Sequence, residues 1–429
     1  MHKTGHFSIK EITKVEGHAN LDVELKNGKV ERCELQIYEG QRFFEQMVIG
    51  RHYSQVPLIV SRICGFCSVS HLNTAIEAIE KAFSVKPSDQ TLLLRELLTN
   101  AEFIKSHALH LLLLVLPDYL GKGSALEFTG KEHKYIHWAL DLKKAGTDII
   151  KVLGGRIYQT VSIRPGGFTL LPKQVKLDAL LPALEEAKGI ATEVINLFAS
   201  LKDQFPFARK TEYVGLVGSN YCLLCGQIHC SDGTIVPEEE YLNHVREFVV
   251  PYSTARAAKF NDREYQVGAQ ARVNLNQKEL CSDVKNLMRA LKLRFPSHKI
   301  YYNNIAQALE LLQCLEASIE TIKLLRLRRE QMQKIESREA DGIGVTEAPR
   351  GTLFHHYKFD SHGFVRKADI IVPTLQNNRN IESDLRAFIP KQLHLPREKA
   401  ELEIEKLIRS YDPCISCATH FLKVNWKKQ

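Results

Sequence analysis

Two Cys-x-x-Cys pairs at opposite ends of the chain constrain its fold more than any other feature of the sequence. Cys64 and Cys67 lie near the start, Cys414 and Cys417 lie near the end, and a histidine follows each pair within four residues. Two thiolates of such a pair reach one metal ion from a single tight turn, and four soft thiolates suit zinc, an iron–sulfur cluster, or nickel with iron. The sequence therefore predicts that both ends of the chain meet at one buried transition-metal centre.

Structural zinc is the main alternative to a redox-active metal centre. One of the pairs could also be a redox dithiol or a coincidence of the amino-acid composition. Zinc-binding pairs normally lie close in sequence and stabilise a small domain. Here 346 residues, positions 68 to 413, separate Cys67 from Cys414. A chain of 429 residues buries a large hydrophobic core without needing zinc to fold. A centre for proton and electron chemistry is therefore favoured.

The composition is that of an ordinary globular protein, with 44% hydrophobic and 25% charged residues. The net charge of +8 contains no long basic block, so nucleic-acid binding is not predicted. Residues 1–10 are polar, unlike a signal peptide, and the longest apolar run, residues 109–117, is too short to cross a bilayer. We expect a cytoplasmic protein without direct membrane insertion.

Hydrophobic periodicity predicts the elements of secondary structure. Alternation of apolar and polar residues predicts strands between residues 7 and 40, with a hairpin turn at Asn27-Gly28. Ser88 is a candidate N-cap for a long helix. Apolar residues at helical spacing predict helices over 72–83, 92–116, 131–153, 174–204, 237–259, 277–293, 305–337 and 397–410.

Together these patterns predict a mainly α fold with a small N-terminal β-sheet and peripheral β segments around a helical bundle core. We expect one intertwined unit over residues 1–429. Its parts, in order, are a β-rich segment (7–50), a helical core (52–340), a β excursion (345–375), a C-terminal helix with the metal motif (397–420) and a tail (421–429).

The motifs resemble those of a known family. Arg62-Ile-Cys64-Gly65-Phe-Cys67 with His71, and Asp412-Pro413-Cys414-Ile-Ser-Cys417 with His420, are similar to the two signatures of the large, catalytic subunit of nickel–iron hydrogenases. Further similar blocks follow the family's order over nearly the whole chain: Lys14-Val-Glu16-Gly17-His18, Arg42-Phe-Phe-Glu45, Ser106-His107-Ala-Leu-His110, Ala348-Pro349-Arg350-Gly351 and Ile371-Val372-Pro373-Thr374. Ser106 stands where other branches often have Asp, so the chain looks most like the cytoplasmic, cofactor-coupled branches.

The resemblance implies the metals and the reaction. Cys64 and Cys414 would be terminal nickel ligands, and Cys67 and Cys417 would bridge nickel to an iron that carries carbonyl and cyanide ligands. The implied reaction is H2 ⇌ 2 H+ + 2 e− by heterolytic cleavage. A magnesium ion (or an iron) is implied at Glu45, His420 and the backbone carbonyl of Ile370, because hard oxygen ligands suit magnesium.

The resemblance also implies roles for residues around the metals. A cysteine thiolate, with Cys414 as the candidate, would accept the first proton, and Glu16 would relay it towards the surface. Arg350 would hold its guanidinium over the open site. Asp412 would pair with Arg350 or orient the turn. His71 would donate a hydrogen bond to a cysteine sulfur, and Pro373 belongs to the block beside the centre.

The implied partners follow from the electron route. An iron–sulfur small subunit would take the electrons, and reductase or diaphorase-type subunits would complete the complex. Family precursors are cut after the final histidine by a maturation endopeptidase once nickel-insertion factors have acted, so residues 421–429 resemble an uncleaved tail. Two other readings remain: a metal-free relative such as the quinone-binding subunit of respiratory complex I, and a hydrogen sensor or zinc-stapled scaffold.

One more cysteine cluster stands outside these motifs. Cys222, Cys225, His229 and Cys230 would suit zinc or a cluster, but they lie amid apolar residues with β-like alternation and match no motif of the family. Without a signal peptide, the cysteines of this large chain are expected to be reduced thiols or metal ligands. We therefore interpret this cluster as packed or incidental thiols.

Overall fold

The structure, a computed structural model, describes residues 4–40 and 43–419. About 48% of the chain is helical, which confirms the mainly α fold class. Within these ranges the helices are α1 (Phe44–Val48), α2 (Val56–Val60), α3 (Ser68–Ala82), α4 (Asp89–Leu109), α5 (Leu116–Tyr119), α6 (Lys134–Gly154), α7 (Gln174–Asp178), α8 (Leu181–Ser200), α9 (Tyr241–His244), α10 (Ala269–Asn276), α11 (Ser282–Ala290), α12 (Tyr302–Leu324), α13 (Pro373–Gln392), α14 (Arg397–Ser410) and α15 (Ile415–Ala418). A π-helical turn, His110–Val115, joins α4 to α5.

The centre of the fold is a bundle in which α4 packs against α6 and α12, and α8 covers α12. Ser88 caps α4 as expected, because its hydroxyl oxygen accepts a hydrogen bond from the backbone N–H of Thr91 at 3.1 Å. Every residue of α4 from Leu97 to Ala108 is buried, and so is every residue of α12 from Tyr302 to Leu315. Helices buried on all sides belong to the core of a large protein, so the polar side chains on them must find partners inside it.

The strands lie outside this bundle. They are β1 (Gly5–Ile9), β2 (Ala19–Lys26), β3 (Lys29–Ile37), β4 (Ile163–Arg164), β5 (Gly167–Phe168), β6 (Glu212–Val217), β7 (Gln227–Cys230), β8 (Ile235–Val236), β9 (Val245–Val249), β10 (Arg256–Phe260), β11 (Tyr265–Gln266), β12 (Ala340–Ala348), β13 (Gly351–Phe359) and β14 (Val365–Ile371). The sheets have the orders β1-β2-β3, β11-β6-β7-β8 and β12-β13-β14, with two further pairs, β4-β5 and β9-β10. Positive φ angles at Asn27 and Gly28 form the predicted hairpin turn between β2 and β3.

The sheet β12-β13-β14 confirms the predicted β excursion, although β12 begins earlier, at Ala340. It packs directly on α3, the helix that follows Cys67. A Cβ atom at Gly344 would lie 2.3 Å from the carbonyl oxygen of Thr74 in α3, so only glycine allows this approach. The contact places the turn between β12 and β13, with Arg350, beside the first cysteine pair.

Two helix predictions are wrong. Residues 237–259 form a 3-10 turn, the short helix α9 and the strands β9 and β10, because Val245–Val249 pairs with Arg256–Phe260 in an antiparallel ladder. The helix predicted to reach residue 337 ends at Leu324, and no regular element follows before Ala340. The basic side chains of residues 326–329 follow the end of α12 and do not belong to a helix face.

The elements that the sequence did not predict include the sheet β11-β6-β7-β8 and the helix α13. Helix α13 is hard to read because the buried face of its first half is polar. Gln376, Asn377 and Asn380 are buried and are satisfied by hydrogen bonds, so the apolar stripe begins only in the second half of the helix, at Ile381. Among the described residues, no helix is long and apolar enough to cross a membrane.

Candidate metal centre

The structure brings the four motif cysteines together. The sulfurs of Cys64 and Cys414 lie 3.3 Å apart, those of Cys67 and Cys417 lie 3.3 Å apart, and those of Cys414 and Cys417 lie 2.7 Å apart. All four sulfurs lie within 4.8 Å of one another and all four residues are buried. Cys67 immediately precedes α3, and Cys414 immediately precedes α15. The two ends of the chain therefore meet at one site.

The ionisation of the thiols shows that this donor set fits a cation. The hydrogen bond from Cys414 holds the pKa of the Cys64 thiol well below its ordinary value. Burial raises the pKa of Cys414 and Cys417 well above theirs. Four crowded thiols cannot all ionise in a buried site without a compensating positive charge, and a bound metal supplies that charge as the thiols lose their protons.

Glu16 lies against the second cysteine pair. Its backbone carbonyl accepts a hydrogen bond from the N–H of Ile415 at 2.9 Å, which ties the N-terminal segment to the C-terminal motif. The Cys414 thiol donates to its carboxylate at 3.1 Å, and the N–H of Ser416 donates to the same oxygen at 3.0 Å. Burial raises the pKa of the Glu16 carboxyl, although the residue keeps partial contact with solvent.

Arg350 and Asp412 form a buried pair beside the sulfurs. The Arg350 guanidinium donates to the Asp412 carboxylate at 3.0 Å and to its carbonyl oxygen at 3.2 Å. It also donates to the hydroxyl of Ser106 at 3.1 Å. Asp412 has a φ of 52°, a left-handed conformation that Asp tolerates better than most residues, and it turns the chain into the second cysteine pair. Asp412 thus contacts Arg350 and lies at the turn that leads into Cys414.

His71 lines the enclosed cavity that Cys67, Cys414 and Cys417 also line. Its Nδ1 lies 3.1 Å from Nε2 of His355, whose Nδ1 lies 2.6 Å from the hydroxyl of Tyr357. Burial raises the pKa of Tyr357 well above its ordinary value, so the phenol keeps its proton and is able to donate to His355. In the arrangement in which it donates, His355 would donate to His71 and the ring proton of His71 would lie on Nε2.

Pro373 lines the same cavity. It begins α13, and the next residue, Thr374, accepts a hydrogen bond from the N–H of Cys414 at 2.9 Å. The first turn of the missed helix α13 thus supports the second cysteine pair.

A buried charge cluster behind the site was not predicted. Arg272 donates to Glu310 at 2.6 and 2.8 Å and to Glu347 at 2.8 Å. It also donates to the carbonyl oxygens of residues 348 and 349 at 3.0 Å each, which holds the turn that carries Arg350. Although burial alone would raise it, Arg272 lowers the pKa of Glu310 to about 2. The one hint in the sequence was Glu310, a charged residue flanked by apolar residues in α12.

The residues expected to bind magnesium are partly visible. The carboxylate of Glu45 accepts a hydrogen bond from the N–H of Ile370 at 3.1 Å and lies 3.7 Å from the guanidinium of Arg256. Glu45 and Ile370 are both buried. His420, the third expected ligand, lies outside the described residues, as do Arg42 and the tail 421–429.

Residues 222–230, interpreted from the sequence as packed or incidental thiols, are not among the described residues that could hold a metal ion together. Cys222 and Cys225 are joined by a disulfide, and Cys230 is a free, buried thiol. The expectation of reduced thiols is therefore wrong for this pair. Cys33 and Cys314 are buried, whereas Cys281 is only half-buried.

The fold and the site define a protein in which two distant cysteine pairs form one buried group that could hold a metal ion. Residues 42–161 and 219–420 match the family model described as nickel-dependent hydrogenase. The chain belongs to this family of oxidoreductases, which confirms the resemblance read from the motifs. Membership implies nickel and iron as cofactors and a small-subunit partner, and nothing supports the metal-free or zinc-scaffold alternatives.

Individual relatives are similar to this chain over nearly its full length. Sulfhydrogenase 1 subunit alpha of Pyrococcus furiosus is 35% identical over 421 residues, which cover 97% of this chain and 98% of the relative. Sulfhydrogenase 2 subunit alpha of the same organism is 31% identical over 97% of this chain and 99% of its own. A solved NAD+-reducing NiFe-hydrogenase in the H2-reduced state superposes with a TM-score of 0.89 at 25% identity, over 98% of this chain and 100% of that one.

Proposed function

We propose that this chain is the catalytic subunit of a nickel–iron hydrogenase that cleaves H2 reversibly into protons and electrons. The observation that carries the proposal is the contact between the four-cysteine cluster and a carboxylate. Four buried sulfurs lie within 4.8 Å of one another, and one of them, on Cys414, donates to Glu16 at 3.1 Å. Redox-metal ligands and a proton acceptor thus lie in direct contact.

Cys64 and Cys414 would hold nickel alone, while Cys67 and Cys417 would bridge it to an iron with carbonyl and cyanide ligands. When bound, this metal pair supplies the Lewis acidity and the redox change that H2 cleavage needs. The side of the cavity lined by Arg350 presents a permanent positive charge that Asp412 holds in place. A fixed charge in a site without water stabilises charge separation without reorganisation.

The protein's own contribution is the movement of a proton. A proton taken up by the sulfur of Cys414 would pass to the Glu16 carboxylate, whose oxygen lies 3.1 Å away. Because burial raises the pKa of Glu16, the carboxylate is a better match for a thiol than a solvated one would be. Glu16 is half-buried, so it connects the closed cavity with the outside of the chain.

His71 would tune a sulfur of the cluster. With Nδ1 of His71 accepting from His355, the ring proton of His71 would lie on Nε2. A hydrogen bond from Nε2 to a cysteine sulfur would lower the basicity of that sulfur. Pro373 and Thr374 would shape the wall of the site and hold Cys414.

Electrons would leave through an iron–sulfur small subunit. Among the described residues, the four motif cysteines form the only group with metal-holding geometry. We also propose a cytoplasmic complex with reductase or diaphorase-type subunits, and magnesium at Glu45, Ile370 and His420. Residues 1–429 would form one unit before maturation. A maturation endopeptidase would remove the tail 421–429 after nickel insertion.

The test is H2-dependent reduction of a viologen dye by the purified complex, compared between two cysteine variants. Cys64→Ala removes a proposed nickel ligand and should abolish H2-dependent dye reduction together with nickel retention. Cys33→Ala, which replaces a buried thiol on β3, should retain both. Equal activity in the two variants would refute the proposed centre.

A further inference from the structure

The disulfide between Cys222 and Cys225 lies in the loop between β6 and β7, on the outside of the fold. Cys225 is exposed and Cys222 is half-buried, whereas seven of the eight free cysteines of the described chain are buried. A solvent-accessible Cys-x-x-Cys pair is the arrangement in which a thiolate from another molecule can reach a disulfide sulfur. None of the proposed hydrogenase chemistry uses this pair.

The same loop is anchored in the interior by the residues between the cysteines. Leu223 is buried, and its carbonyl oxygen accepts a hydrogen bond from the N–H of Glu347 at 2.8 Å. Tyr221 is buried and its hydroxyl donates to Glu310 at 2.5 Å. The loop thus points two residues inward, to the charge cluster of Arg272, and the two cysteines outward.

The backbone of this loop depends on a sharp reversal. Gly226 has a φ of 137°, and a Cβ atom there would lie 2.7 Å from the carbonyl oxygen of Val217. Only glycine fits at this point, directly after Cys225. The reversal holds the disulfide close to the strand ends, and the ring closed by the disulfide contains Leu223.

We propose that Cys222 and Cys225 form a thiol–disulfide exchange site that is reduced by a protein dithiol of the Cys-x-x-Cys type. A thiolate of the reductant attacks the exposed sulfur of Cys225, forms a mixed disulfide with it and displaces the Cys222 thiolate, which takes up a proton. The second thiol of the reductant then attacks the mixed disulfide and releases Cys225 as a thiolate, which is also protonated. Two electrons and two protons pass to this chain, and the reductant becomes a disulfide.

Reduction opens the covalent ring around Leu223, and the loop loses a constraint on its backbone. The hydrogen bonds to Glu347 and Glu310 are the contacts that this added freedom weakens. Because both carboxylates hold Arg272, which fixes the turn before Arg350, the redox state of a surface pair reaches the wall of the metal cavity.

The experiment equilibrates the purified complex in buffers that span reduced and oxidised dithiothreitol, alkylates free thiols and maps them by mass spectrometry. The expected result is that Cys222 and Cys225 change together, unlabelled in oxidising buffer and doubly labelled in reducing buffer. A thioredoxin that lacks its resolving cysteine should be trapped in a mixed disulfide at Cys225. The variant Cys281→Ser, which removes the half-buried free thiol, should leave this pattern unchanged.

Two results would overturn the proposal. One is a pair that keeps a single labelling state in every buffer, whether free or blocked. The other is a zinc ion held by both sulfurs of the purified chain. Coupling to the interior is tested by hydrogen exchange of residues 218–226, which should quicken on reduction and should be insensitive to the buffer in Cys222→Ser/Cys225→Ser. None of these readouts requires hydrogenase activity, so their failure is distinguishable from a failure of the proposed function.

Discussion

The thiol of Cys414 donates a hydrogen bond to the carboxylate of Glu16 at 3.1 Å across a sequence separation of 398 residues. The contact depends on a backbone hydrogen bond from Ile415 to Glu16, so the position of the carboxylate is set by the main chain. A side chain fixed in this way costs little reorganisation when a proton passes to it.

Replacement of Glu16 by Gln should therefore interrupt proton transfer while leaving the metals in place. The amide keeps the shape of the side chain but cannot accept the proton, so H2-dependent dye reduction should fall about 100-fold or more. Glu16→Asp keeps a carboxylate and should retain part of the activity. Nickel content is measured alongside, and unchanged turnover in Glu16→Gln would show that the proton takes another route.

Arg350→Lys tests whether the geometry of the charge matters as well as its sign. Lysine keeps the charge but loses the fork that donates to Asp412 and Ser106. We expect H2-dependent activity to fall about 100-fold. Arg209→Lys, at an ion pair with Asp384 on α13, is the matched control and should keep nearly full activity. Similar losses in both variants would indicate general destabilisation.

Tyr357→Phe removes the hydroxyl that contacts His355, which in turn contacts His71. We expect the infrared bands of the carbonyl and cyanide ligands to shift and the turnover rate to fall about 10-fold. Tyr301→Phe removes another buried hydroxyl, which donates to the carbonyl oxygen of Phe198 at 3.0 Å, and should leave the bands in place. Unshifted bands in both variants would show that His355 and Tyr357 do not influence the metal centre through His71.

The charge cluster predicts a specific pH dependence of stability. Arg272 lowers the folded-state pKa of Glu310 from 4.5 to about 2, so the stabilisation is complete above the unfolded-state pKa and is lost as the pH falls towards 2. Glu310→Gln should lower the free energy of unfolding by about 3 kcal/mol at pH 7 and by less at pH 3.

Thermal unfolding of Glu310→Gln, followed at several pH values, measures this difference. Glu398→Gln on the exposed surface of α14 should match the wild type throughout. A penalty for Glu310→Gln that stays constant from pH 7 to pH 3 would contradict the assigned ion pair.

The four-cysteine cluster could be predicted from the sequence because its members come in two local motifs. The spacing within each Cys-x-x-Cys pair fixes two sulfurs in one turn, and only their meeting had to be inferred. The strands of residues 5–37 and the helix after Ser88 were readable for a similar reason, since their apolar periodicity reports directly which face is buried.

Other parts depend on partners distant in sequence. Arg272 and Glu310 are acceptable in the core only because each finds the other, and neither residue carries a local signal of that pairing. Residues 245–260 have enough apolar residues for a helix, but the ladder between β9 and β10 decides their conformation. The first half of helix α13 buries amides, so hydrogen-bond partners rather than hydrophobicity define that part of the helix.

The most direct test of the account is the metal content of the purified chain, measured together with its infrared spectrum. We predict one nickel and one iron per chain, with bands from carbonyl and cyanide ligands, and loss of all three in Cys64→Ala. One zinc per chain, with no nickel and no such bands, would contradict the assignment of Cys64, Cys67, Cys414 and Cys417 to a nickel–iron centre.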